Sequence, residues 1–126
     1  MLKKGANDLL AEANAQIETI NIEEALGLHG QADVVFVDVR EQVERANGFV
    51  AGSVHAPRGM LEFMFDPQTP MHIAELSAGK RMVLYCGSGG RSALAARTLA
   101  DMGIENVCHV AGGFAGWVQN GGPTEG

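Results

Sequence analysis

Cys86 heads the run Cys86-Gly87-Ser88-Gly89-Gly90-Arg91-Ser92, in which four small residues separate a thiol from a guanidinium. The apolar stretch Met82-Val83-Leu84-Tyr85 before it reads as a short buried strand. Ser92-Ala93-Leu94-Ala95-Ala96-Arg97-Thr98-Leu99 after it reads as a helix. A strand, a small-residue loop and a helix start form a nest of backbone N–H groups at the positive end of a helix dipole. Such a nest stabilises an anion, and a thiolate is an anion. The expectation is a reactive Cys86 with a lowered pKa. The simpler reading, an inert cysteine closing a strand, leaves the glycines unexplained, because they bring backbone donors close without Cβ obstruction. Gly87, Ser88, Gly89, Gly90, Arg91 and Ser92 are therefore the candidate anion-binding loop. Arg91 either faces the loop centre or pairs with an acidic residue and braces the loop. Ser92 either hydrogen-bonds the sulfur or caps the helix, and Ser88 is the other polar side chain able to line the pocket.

Little else in the chain has the spacing of a reactive site. His55, His72 and His109 have no metal-ligand spacing with the cysteines, so neither metal nor cofactor is expected. His29 falls near a helix end and reads as solvated. Cys108 lies within an apolar strand and reads as core, with a resolving thiol as the alternative. The net charge of −6 argues against a nucleic-acid partner, which requires a clustered basic patch. No apolar run is long enough to span a membrane. Met1-Leu2-Lys3-Lys4 resembles the start of a signal peptide, but Asp8 and Glu12 fall where its apolar stretch would have to be. A cytoplasmic location with two free thiols is expected.

The elements that must position Cys86 alternate between strand and helix. Across 126 residues, 46% of them apolar, one domain with a real core is expected. Residues 1–16 form an N-terminal helical extension and residues 122–126 a flexible tail. Ile17 to Ile20 alternates like an edge strand. Asn21 with Glu24 reads as a capping box opening a helix that ends at Gly30. Val34-Val35-Phe36-Val37 has the pattern of a strand covered on both faces. Further expectations are a short helix across Glu41 to Ala46, one strand from Val50 to Ala56 broken by Gly52, and helices at Met60 to Phe65 and His72 to Ala78. A helix over Ser92 to Met102, a strand at Val107 to Val110 and a last helix at Gly113 to Gln119 complete the order. Such alternation implies a parallel sheet with helices on both faces, and ligands there bind beyond the carboxyl ends of the strands.

Cys86-x4-Arg91-Ser92 resembles the active-site loop of the rhodanese (sulfurtransferase) domain, and two further signatures of that family appear in order. Asp38-Val39-Arg40-Glu41, then Glu44, Gly48 and Val50-Ala51-Gly52-Ser53-His55-Ala56-Pro57, are similar to its D-x-R-E and G-H-I-x-G-A-x-x-x-P stretches. Gly112-Gly113-Phe114-Ala115-Gly116-Trp117 is similar to its closing G-G-x-x-x-W segment. The resemblance runs from about Ile17 to Gly122. It implies a rhodanese-like α/β fold, with a central parallel sheet of about five strands.

The resemblance also implies transfer of a sulfane sulfur. Cys86 attacks the outer sulfur of a small donor, thiosulfate or a persulfide, which includes a protein persulfide. It then carries a persulfide that cyanide or a thiol accepts. Asp38 and Arg40 match positions that tie loops together, and Trp117 and Phe114 read as core anchors of the last helix. Arg58, after Pro57, falls by the family topology at the mouth of the site, where it either contacts the donor or is a solvated surface residue. Phe49 stands where the family usually has histidine. Phosphate- and arsenate-handling relatives carry five residues between Cys and Arg, so four here favours a pocket for one sulfur. Since Arg91 is the loop's one basic side chain, thiosulfate is expected to be a poorer donor than a protein or low-molecular-weight persulfide. The competing readings are a non-catalytic interaction or persulfide-carrier module and, further off, an arsenate- or phosphate-handling enzyme.

Overall fold

Val35 and Val37 point to one side of the central sheet and Phe36 to the other. That explains why this strand is apolar throughout rather than alternating. In the computed structural model, which describes residues 1–126, it is β2 (Val34–Asp38). The remaining strands of the sheet are β1 (Glu18–Ile20), β4 (Val54–His55), β5 (Arg81–Tyr85) and β6 (Val107–Val110). They run parallel in the order β1-β6-β5-β2-β4. Val37 lies opposite Leu84, and Asp38 opposite Tyr85. His109 is flanked by Leu84 on β5 and Thr19 on β1.

Two cores sandwich the sheet. On one side Val35, Val37, Met82, Leu84 and Cys86 pack with α4 (Leu61–Phe65) and α5 (Gly90–Asp101) through Leu61, Phe65, Ala95, Ala96 and Leu99. On the other side Phe36, Val83, Tyr85, Cys108 and Val110 meet α2 (Ile22–Leu28) and α6 (Gly113–Gln119) through Ala25 and Trp117. The capping box that opens α2 is present: Asn21 Oδ1 accepts from the Glu24 N–H at 2.8 Å, and Glu24 Oε1 accepts from the Asn21 N–H at 3.2 Å. The helical extension is α1 (Ala6–Asn14), which lies against α5, with Leu10 beside Gly90.

Three expectations are corrected. The segment from Val50 to Ala56 is two strands, not one. β3 (Phe49–Val50) turns away from β4 because it pairs instead with β7 (Thr124–Glu125), antiparallel. The same pairing removes the expected flexible tail. The Pro123 carbonyl accepts from the Ala51 N–H at 3.1 Å and from the Trp117 indole at 2.9 Å, and Glu125 accepts from the Gly52 N–H at 2.6 Å. A buried indole N–H requires an acceptor, and the chain terminus supplies it. Finally, α5 starts at Gly90 rather than Ser92, inside the candidate loop. The short helix α3 (Gln42–Arg45) follows β2, and single 3-10 turns occupy Arg58–Met60 and Ala74–Ser77.

Candidate active site

β5 ends at Tyr85, and Cys86 continues its alternation into the α5-side core, where it is 1% exposed. Gly89 adopts φ +124°, a conformation that L side chains rarely take. Its N–H points inward and donates to Cys86 Sγ at 3.0 Å. Ser92 lies in the first turn of α5 with Oγ 3.5 Å from the sulfur. The capping position belongs to Gly89, so of the two roles open to Ser92 the structure displays the contact with sulfur. Burial by itself opposes ionisation of Cys86. Hydrogen bonds from the Ser92 hydroxyl and from the N–H groups of Ser92, Gly89 and Ser88 outweigh it, and the thiol pKa lies below its ordinary value.

The far side of the loop is pinned by α6. Its first N–H groups, of Phe114 and Ala115, donate to the carbonyls of Cys86 at 2.7 Å and Gly87 at 3.2 Å. A Cβ at Gly113 would lie 2.5 Å from the Cys86 carbonyl oxygen and 2.6 Å from that of Gly87, at a φ of +53°. Gly113 therefore permits a close approach that no side chain allows.

Arg91 does not face the loop centre. Its guanidinium binds the Glu44 carboxylate at 2.6 and 2.9 Å, beneath Gly87. The Arg91 hydrogen bonds hold the Glu44 carboxyl down to about 2. Beside this pair lies a buried polar knot. Arg40 grips Asp38 at 3.0 and 2.9 Å, donates to the Gly48 carbonyl at 2.8 Å, and stacks over Phe114. Arg45 bridges Asp38 and Ser53, and the Ser53 hydroxyl lies 3.0 Å from that of Tyr85. Burial opposes the charge on Asp38, but the Arg40 hydrogen bonds more than offset this and its pKa is lowered. Burial pushes the Tyr85 phenol up to about 12. These groups join α3, β3 and the start of α6 to the strand ends, which holds the loop's surroundings in register.

Arg58 is not brought to the loop. Its guanidinium turns along α5 to Glu62 at 3.2 Å and Thr98 at 3.1 Å. There it lines a groove with Leu9, Leu94 and Arg97 that includes no residue of the Cys86 loop. Of the two readings open to Arg58, the structure favours the surface residue, held in a half-buried ion pair rather than free in solvent. An acidic residue one helical turn along outcompetes the mouth of the site for its charge. Trp117 is buried against Phe36 and His29. Ser88 is exposed at the rim.

Sequence reasoning missed His109. It is 3% exposed, with Nδ1 3.0 Å from Ser92 Oγ and Nε2 3.0 Å from Thr19 Oγ1. Cys86, Ser92, His109 and Thr19 thus form one hydrogen-bonded series. Strand order is what makes it, because β6 separates β1 from β5 in the sheet but comes after both in the chain.

A thiol held in this way is ready to act as a nucleophile and to retain its own anion, without a free cation at the loop centre. Proteins similar to this chain carry different names. A protein of unknown function from Rhodopseudomonas palustris, described as a possible tyrosine phosphatase, superposes with a TM-score of 0.95 at 44% identity, over 99% of this chain and 97% of that one. A sulfurtransferase from Allochromatium vinosum is 30% identical over 91 residues, 72% of this chain and 78% of that protein. An uncharacterized protein from Synechocystis is 35% identical over 97 residues, 77% of this chain, and the matched region spans 50% of that longer relative. Residues 21–120, from the cap of α2 through the end of α6, match the Rhodanese-like domain, and the chain belongs to that family.

Proposed function

We propose that this chain transfers a sulfane sulfur through a persulfide on Cys86. The supporting observation is the Gly89 N–H aimed at Sγ from 3.0 Å, in a loop whose arginine is occupied by Glu44. The Cys86 thiolate attacks the outer sulfur of a donor R–S–S⁻. The new S–S bond forms as the old one breaks, and R–S⁻ leaves. The persulfide anion then occupies the nest, where loss of one such donor costs about 3 kcal/mol in comparable oxyanion sites. A thiolate or cyanide attacks the terminal sulfur, takes it as a persulfide or thiocyanate, and restores the Cys86 thiolate. No net oxidation occurs and no cofactor takes part.

Backbone N–H groups suit a single anionic sulfur, whereas a phosphate dianion gains most from a bidentate guanidinium. The Arg91–Glu44 pair therefore weighs against the phosphatase reading, as does the four-residue spacing. It also favours a low-molecular-weight or protein persulfide over thiosulfate as donor. We place the activity in the cytoplasm, where unpaired thiols persist.

Intact-protein mass after incubation with a persulfide donor tests this reading. A gain of one sulfur atom, removed by cyanide or a thiol, is expected. An unchanged mass in folded protein overturns it, and hydrolysis of an aryl phosphate dependent on Cys86 would favour the phosphatase reading instead.

A further inference from the structure

The Ser92 hydroxyl is fully buried, and its one proton has three acceptors in reach: Cys86 Sγ at 3.5 Å, the Gly89 carbonyl at 3.3 Å and His109 Nδ1 at 3.0 Å. What the hydroxyl does for the sulfur therefore depends on the ring beside it. Behind His109, Thr19 is exposed. Both residues line an open cavity of about 370 Å³, walled by Leu10 and Asn14 of α1 and by Ser88 and Gly89 of the loop. The series thus begins at a buried sulfur and ends at solvent.

We propose that His109 is a positioning residue for Cys86, orienting the Ser92 hydroxyl toward the sulfur and linking it through Thr19 to the cavity beside the loop. The proposal rests on the reading of Cys86 as the nucleophile. Two complete arrangements of the same hydrogen bonds exist. With Cys86 protonated, S–H donates to Ser92 Oγ, Ser92 donates to Nδ1, Nε2–H donates to Thr19 and Thr19 donates to water. With Cys86 ionised, every proton has moved one place outward. Ser92 donates to the thiolate, Nδ1–H donates to Ser92, and Thr19 donates to Nε2. One proton has passed to water at Thr19, and the ring has changed tautomer without becoming charged.

Neutrality of the ring is what this exchange requires. Burial alone lowers the His109 pKa, and its partners on α5 and β1 are both hydroxyls. The loop's one charged side chain, Arg91, is paired with Glu44 from α3. Once the thiolate forms, it is a stronger acceptor than the neutral Gly89 carbonyl. Nδ1–H, by occupying a lone pair of Ser92 Oγ, leaves the hydroxyl proton for the sulfur.

The test is the pH dependence of iodoacetamide alkylation of Cys86, measured in a Cys108→Ser background so that one thiol reports. His109→Leu should raise the midpoint by about one pH unit, about tenfold slower alkylation near neutral pH. His109→Asn, whose amide reaches the Nδ1 position, should restore most of the rate. Ser92→Ala should raise the midpoint equally, and the Ser92→Ala, His109→Leu double variant no further. Should the leucine variant fail to fold, His109→Gln replaces it, because its amide reaches toward Thr19 and misses Ser92. An unchanged midpoint in a folded variant, or additive shifts in the double variant, overturns the proposal. Persulfide loading read by mass in the same proteins is a separate result. Its absence in wild type would defeat sulfur transfer while the alkylation midpoints still decide the role of His109.

Discussion

Arg91 and Glu44 meet as a two-point ion pair, Nη1 to Oε1 at 2.6 Å and Nη2 to Oε2 at 2.9 Å, and this contact turns the loop's guanidinium from ligand into brace. The pair ties the loop and the first turn of α5 to α3. It leaves backbone N–H groups and the Ser92 hydroxyl as the donors facing Cys86.

The brace has a pH signature. The Glu44 carboxyl lies at about 2 in the folded chain against an ordinary 4.5. A group whose folded pKa is depressed stabilises the fold above its unfolded pKa and loses that contribution as pH falls through the folded one. Both side chains are a third or more exposed, so the contribution is no more than about 1 kcal/mol. Urea unfolding of Glu44→Gln should show that deficit near neutral pH and progressive convergence with wild type below about pH 4.5. A gap that stays constant down to acid pH would mean the pair contributes nothing through its charge.

Thiosulfate should be a weak donor, with a KM well above that of a small persulfide, because no unpaired cation faces the sulfur. Arg58→Ala should leave KM for both donors unchanged, since Arg58 is engaged with Glu62 and Thr98. A rise in the thiosulfate KM alone would return Arg58 to the site.

Cys86→Ser should abolish persulfide loading while circular dichroism and thermal unfolding stay near wild type, because the replacement is close in size. Cys108 is fully buried in the opposite core, and burial pushes its thiol up. Cys108→Ser should keep turnover at a stability cost of about 1 kcal/mol. Loading that tracks with Cys108 rather than Cys86 in the mass spectrum would reverse the assignment.

Gly113→Ala should destabilise by about 2–4 kcal/mol, combining left-handed backbone strain with a clash against the Cys86 and Gly87 carbonyls. Gly27 is the control. It is exposed within α2 with nothing within 4 Å of its Cβ position. Gly27→Ala should therefore gain about 0.5–1 kcal/mol. Thermal unfolding of the two variants side by side gives the comparison. Equal tolerance at both positions would show that the close approach of α6 to the loop is unimportant.

Local chemistry was legible in the chain itself. The strand Met82 to Tyr85, the small-residue turn and the helix beyond it are set by apolar runs and glycines adjacent in sequence, as is the Asn21–Glu24 capping box. Contacts between distant segments were not. Nothing near Arg91 names Glu44 as its partner, and Arg58, although Glu62 lies only four residues along, reaches Thr98 only because α4 and α5 pack together. The terminal residues look like a tail until β7 meets β3 and Pro123 accepts the Trp117 indole N–H. His109 depends on strand order: β6 sits between β1 and β5 and carries its ring to Ser92 on one side and Thr19 on the other. Propensity and turn chemistry act over a few residues, whereas ion pairs and buried hydrogen bonds are chosen by which surfaces the packed sheet brings within about 3 Å.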